Sequence, residues 1–175
     1  MNYAIYKNSR NASWQCLIDC CVAELPIRPV QIAKHYGIMC TYSDSLSCDG
    51  VISRTKDNVS IVIRKEQPRT RQRYTILHEL GHYLLGHLDK EYQSEAEYAA
   101  DRFAADVLMP ACVLWGLQLH TANDIVRICD VSQVAAQRRA DRMAVLYQRN
   151  MFLAHPLERQ VYQQFQDFIY GYTNG

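Results

Sequence analysis

The alternation of apolar and polar positions divides the chain into a mixed first part and a helical remainder. Residues 12–25 place Trp14, Leu17, Ile18, Val22 and Leu25 at helical spacing, and Pro26 closes that segment. Pro29 opens a second, short helix through Ile32 to Tyr36, stopped by Gly37. Ile38 to Tyr42 reads as a strand, polar residues 43–49 as a loop, and Gly50-Val51-Ile52-Ser53 as another strand. Asp57-Asn58 then turns the chain into Val59-Ser60-Ile61-Val62-Ile63-Arg64, a β-branched run that predicts a third strand. The turn spacing favours a small, mainly antiparallel sheet of about three strands.

From Thr70 onward helical periodicity dominates. One helix is expected from about Arg71 to Leu85, with Gly86 as its stop, and another from about Ser94 to Met109, ended by Pro110. Segments 112–120, 123–129, 132–148 and 157–170 are helical by the same criterion. A sheet followed by helices argues for an α+β fold. The expected division is a domain at 1–110 and a helical C-terminal extension at 111–175 packed on it.

Composition narrows the function classes. Apolar residues make up 49% of the 175 positions and charged residues 21%, enough for a core of ordinary globular size. A formal net charge of +1 gives no general affinity for polyanions, so nucleic acid would need a local basic patch. Met1 to Trp14 lacks an apolar secretory core, and no apolar run approaches the roughly 20 residues of a bilayer span. Seven cysteines, odd in number and irregular in spacing, argue against a disulfide framework and for a reducing cytosol.

The chemistry concentrates in Leu77-His78-Glu79-Leu80-Gly81-His82-Tyr83, an HExxH pattern inside an apolar helical stretch. Residues i and i+4 of a helix differ by about 40° around the axis and about 6 Å along it. Two imidazoles on one face can therefore share a metal, while Glu79 reaches a water without ligating the ion. Ile76, Leu77, Leu80, Tyr83, Leu84 and Leu85 imply a buried helix, where such polar groups need partners. The alternative is a polar surface stripe with a solvated Glu79.

A catalytic zinc takes three protein ligands and a water, so a third residue is required. His87 falls one residue short of HExxHxxGxxH: the pattern's Gly and His positions hold Leu85 and Leu88, and His87 reads better as a helix-end residue. Glu97 on the following helix completes a His₂Glu set. Asp101, one turn further, can accept the outer N–H of a ligating histidine. Small Ala99 and Ala100 allow close helix approach. Ser94-Glu95-Ala96-Glu97 also matches a capping box, which would spend Glu97 on its own helix start; Glu91 and Glu95 are then fallback ligands. Asp101 could instead pair with Arg102 or Arg73. Tyr92, Tyr98, His120 and a later tyrosine are candidate oxyanion donors, and Val59 to Ile63, if at the sheet edge, could pair an extended peptide.

The stretch 71–85 followed by Glu97-Tyr98-Ala99-Ala100-Asp101-Arg102-Phe103-Ala104-Ala105-Asp106-Val107-Leu108-Met109-Pro110 resembles the ImmA/IrrE family of metallopeptidases over roughly residues 12–148. His35-Tyr36-Gly37-Ile38 upstream is also similar, while the tail at 157–175 has no counterpart. The resemblance implies a zincin-like (mini-gluzincin) α+β fold, with zinc on His78, His82 and Glu97 and Glu79 as general base. It also implies a substrate class: helix-turn-helix repressors of mobile-element or stress genes, removed by site-specific cleavage. Asp106 replaces a Glu common in relatives and is expected at the surface.

A rival reading is a non-catalytic regulatory module that binds a repressor or DNA through the helical C-terminal part. It rests on residues 123–139, where Val131-Ser132 looks like the turn of a helix-turn-helix, and on Arg138, Arg139, Arg142 and Arg149 as a basic stripe. Asp124, Asp130 and Asp141 dilute that stripe, and nucleic acid is the less favoured partner.

Overall fold

The computed structural model describes residues 3–87 and 94–175. It contains α1 (Tyr3–Asp19), α2 (Pro29–His35), β1 (Met39–Ser43), β2 (Gly50–Arg54), β3 (Val59–Arg64), α3 (Arg69–Leu84), α4 (Ser94–Leu108), α5 (Ala111–Gly116), α6 (Ala122–Cys129), α7 (Gln133–Gln148), α8 (Pro156–Gln164) and α9 (Gln166–Asn174). The fold is α+β, as expected. Two compact units divide the chain within α1 and α4: Met1–Ser13 with Arg28–Ala104, and Trp14–Ile27 with Ala105–Gly175.

In the first unit the sheet order is β1-β3-β2. The β2–β3 pair is an antiparallel hairpin closed by Thr55 and Asn58, but β1 runs parallel to β3 on its other side. The sheet is thus mixed rather than mainly antiparallel. Its middle place goes to the most apolar strand: Ile61 and Ile63 are fully buried, and β3 has both edges paired. A peptide therefore cannot add to β3, contrary to the sequence expectation; among the described residues the open edges belong to β1 and β2.

Helix α3 begins after Pro68, two residues earlier than expected, and buries Ile76, Leu77, Leu80 and Gly81. A Cβ at Gly81 would lie 3.0 Å from Phe103 Cδ1 and 3.2 Å from Ala100 Cα, so the missing side chain sets how closely α3 and α4 approach. Helix α1 starts far earlier than residue 12. Its first turns are polar, yet Ser9 is fully buried and donates to Ala99 O at 2.7 Å, a core contact that hydropathy does not reveal.

The second unit is helical. Its turns carry side-chain caps: Thr121 accepts from Asp124 N and Ser132 from Ala135 N. Asp130 takes the left-handed conformation (φ 53°) that closes α6, a role Asp fills more readily than most non-glycine residues. Val161, Phe165 and Ile169 of the tail are buried in this unit's core, and the expected single helix over 157–170 is instead two, meeting at Phe165. Asp106 is not at the surface. It is buried and paired with Arg139 Nη2 at 2.6 Å, and Arg139 also donates to Ala105 O. All seven cysteines are free thiols. Among the described residues no helix is long and apolar enough to cross a membrane.

Candidate metal centre

Every group of the candidate site lies in the first unit, on α3, α4 and β2. The i, i+4 spacing on α3 brings His78 Nε2 and His82 Nε2 to 3.1 Å, with both rings mostly buried. Glu97 reaches them from α4: Oε2 is 3.3 Å from His78 Nε2 and Oε1 is 3.1 Å from His82 Nε2. Its carboxylate thus faces both imidazoles. Two imidazole nitrogens this close, flanked by a carboxylate, present lone pairs to a common point. That is repulsive unless a cation or proton sits between them.

Among the described residues, His78, His82 and Glu97 form a group whose donor atoms all lie within 4.8 Å of one another. Tetrahedral bonds of about 2.0–2.1 Å to nitrogen and oxygen put neighbouring ligands about 3.3 Å apart. The two nitrogens stand 3.1 Å apart and each has one of the two Glu97 oxygens at 3.1 to 3.3 Å, close to that spacing. A divalent ion fits this donor set.

The surrounding groups orient the trio. Asp101 Oδ1 stands 2.9 Å from His78 Nδ1, and Tyr74, one turn before His78 on α3, donates its hydroxyl to the same oxygen. Burial pushes the Asp101 carboxyl up, but these contacts with His78 and Tyr74 outweigh it and hold it below its ordinary value. Burial lowers the His78 pKa, yet Asp101, with help from Glu79 and Glu97, leaves it raised. His82 is lowered, first by burial and then by the neighbouring His78. Arg102, a suggested partner of Asp101, instead donates to Tyr6 and lies over its ring.

Glu79 is held from the sheet. Its Oε2 accepts the backbone N–H of Ile52 at 3.0 Å. Burial raises its pKa, and the opposing influence of His78 and the Ile52 hydrogen bond does not cancel that rise. The approach of β2 to α3 depends on Gly50, where a Cβ would come within 2.3 Å of Thr75 Cγ2 and 3.6 Å of Glu79 Cγ.

Of the remaining candidates, Glu95 is exposed and Tyr98 half-buried, while His120 belongs to the second unit, where its ring lies 4.9 Å from that of Tyr147. Glu91 and Tyr92 lie outside the described residues. The basic stripe on α7 is interrupted, because Arg139 turns inward to Asp106. Sequence reasoning missed Tyr74 and Ile52. Tyr74 was detectable as the i−4 neighbour of His78, whereas a backbone N–H from a strand 27 residues away leaves no residue-type signal.

No curated protein matches the chain. A family model described as the IrrE N-terminal-like domain, a peptidase family, matches residues 33–148. That span is well over half of the chain and contains all the residues of the centre. The chain belongs to the ImmA/IrrE family of metallopeptidases.

Proposed function

We propose that this metallopeptidase is a zinc-dependent endopeptidase in which His78, His82 and Glu97 hold the ion and Glu79 is the general base. The observation that carries the reading is the convergence of His78 Nε2, His82 Nε2 and the Glu97 carboxylate at 3.1 to 3.3 Å. Two nitrogens and a carboxylate suit zinc, and a group of three donors among the described residues leaves a tetrahedral position for solvent. When bound, such an ion lowers the pKa of water to about 7 and polarises a carbonyl.

The residues of the chain supply the rest. Glu79, adjacent to His78 and anchored by the Ile52 amide, accepts a proton from the attacking water and passes it to the leaving amine. Asp101 and Tyr74 hold the His78 ring in place. An extended substrate has the open edge of β2 beside Glu79. There Gly50, Ile52 and Arg54 turn their backbone groups away from β3 by the alternation of an antiparallel pair.

For the substrate, we propose a helix-turn-helix repressor of mobile-element or stress genes, the class implied by the family resemblance. Glu79→Gln should retain zinc and lose cleavage of such a repressor by at least about a hundredfold. Cleavage at the wild-type rate by that variant refutes the mechanism.

A further inference from the structure

His87 is the one histidine near the centre that the proposed chemistry leaves without a task. Its place follows from the way α3 ends. Leu85 caps the helix, Gly86 takes the left-handed conformation (φ +72°), Gly86 N donates to Tyr83 O at 3.1 Å, and His87 N donates to His82 O at 2.9 Å. This is a Schellman closure, which needs a residue tolerant of positive φ at the position of Gly86. The closure turns the chain back over the last helical turn and sets the His87 ring against His82. The two ring centroids are 5.4 Å apart at 70°, and His87 Nδ1 lies 3.3 Å from His82 Nδ1.

Which nitrogen makes this contact decides what His87 does. His82 meets His78 and Glu97 through Nε2, and it meets His87 through Nδ1 on the other side of the ring. His87 is therefore behind His82, away from the point where the three donor atoms converge. A neutral imidazole carries its proton on one nitrogen only. If Nε2 of His82 offers its lone pair to an ion, Nδ1 holds the proton, and the atom facing that proton must accept it. His87 Nδ1 is that atom.

Resting on the metal-site reading above, we infer that His87 is a positioning residue: it accepts the Nδ1–H of His82 and so fixes the tautomer and ring angle that open Nε2 toward the metal. The two histidines are then held from behind by different partners, His78 by the Asp101 carboxylate and His82 by a neutral imidazole. Groups in this position commonly change metal affinity by about 10- to 100-fold when removed.

The test compares zinc affinities of the full-length wild type with His87→Leu and His87→Asn, using competition with a chelator. The visible spectrum of the cobalt-substituted proteins serves as a second readout. Leucine removes the acceptor. Asparagine places an amide oxygen at about the reach of Nδ1 and keeps it. The expected result is about tenfold weaker zinc binding for His87→Leu with an altered cobalt spectrum, and affinity within about threefold of wild type for His87→Asn. Wild-type affinity in His87→Leu overturns the inference, and so does an Asn variant as weak as the Leu variant. Glu97→Ala, measured alongside, separates the two levels. If it alone loses zinc, only the role of His87 has failed; if it binds as wild type, the three-ligand reading itself falls.

Discussion

Gly81→Ala places a methyl group against Phe103 and Ala100 of α4. A Cβ there lies 3.0 Å from Phe103 Cδ1, 3.3 Å from Phe103 Cγ and 3.2 Å from Ala100 Cα. Two effects compete. Replacing a mid-helix glycine by alanine favours the helix by about 1 kcal/mol. Overpacking a tight core costs about 1–3 kcal/mol. Phe103 and Ala100 are fully buried, and one of the opposing atoms is backbone, so no flexible side-chain end can swing aside. Overpacking should win, leaving a net loss of about 1 kcal/mol in urea unfolding of the metal-free protein.

The same displacement reaches the metal centre. Glu97 sits on α4 about one turn before Ala100 and Asp101, so α4 carries its carboxylate along when the contact at Ala100 is pushed back. A retreat of a few tenths of an ångström draws that carboxylate away from the imidazole pair. Zinc affinity measured by chelator competition should therefore fall on the order of tenfold. A variant that gains the full helix-propensity benefit and binds zinc as wild type refutes the claim that Gly81 sets the spacing of the centre.

Two further outcomes follow from particular contacts. Gly50→Ala should lower kcat while leaving zinc content unchanged, because its Cβ meets Thr75 Cγ2 at 2.3 Å and lifts β2, with the Ile52 amide, from Glu79. Adding Thr75→Ser removes the opposing methyl and should restore most of the turnover; no recovery argues against this origin. In the second unit, Arg139→Met removes the ion-pair partner of the buried Asp106 carboxylate and should cost about 3–5 kcal/mol in urea unfolding. Replacing both partners by apolar residues should cost less than that single change, and a larger loss in the double variant contradicts the assignment.

How much was legible in the sequence depended on the range of the interaction. His78, Glu79 and His82 lie within one helical segment, so spacing alone placed them on a shared face. Glu97 required a second helix, and the small residues around Ala99 and Ala100 signalled its close approach. Gly86 was readable as a helix stop, but the direction in which it turns His87 depends on backbone dihedrals that residue type does not fix. The sheet was harder. Turn spacing identifies the β2–β3 hairpin, yet nothing local tells β1 to pair with the far side of β3. Polar residues in the core were hidden for a related reason: Ser9 and Asp106 are buried because Ala99 O and Arg139 satisfy them, and those partners are remote in sequence.

Two imidazoles and one carboxylate holding a single ion is the arrangement on which the proposed chemistry depends. X-ray absorption at the zinc edge, combined with metal analysis of the purified chain and its Glu97→Ala variant, addresses it without relying on an assay of cleavage. One zinc per wild-type chain is expected, surrounded by nitrogen and oxygen at about 2.0–2.1 Å, with much of the metal lost in the variant. A sulfur shell at about 2.3 Å, or equal zinc in both proteins, would contradict it.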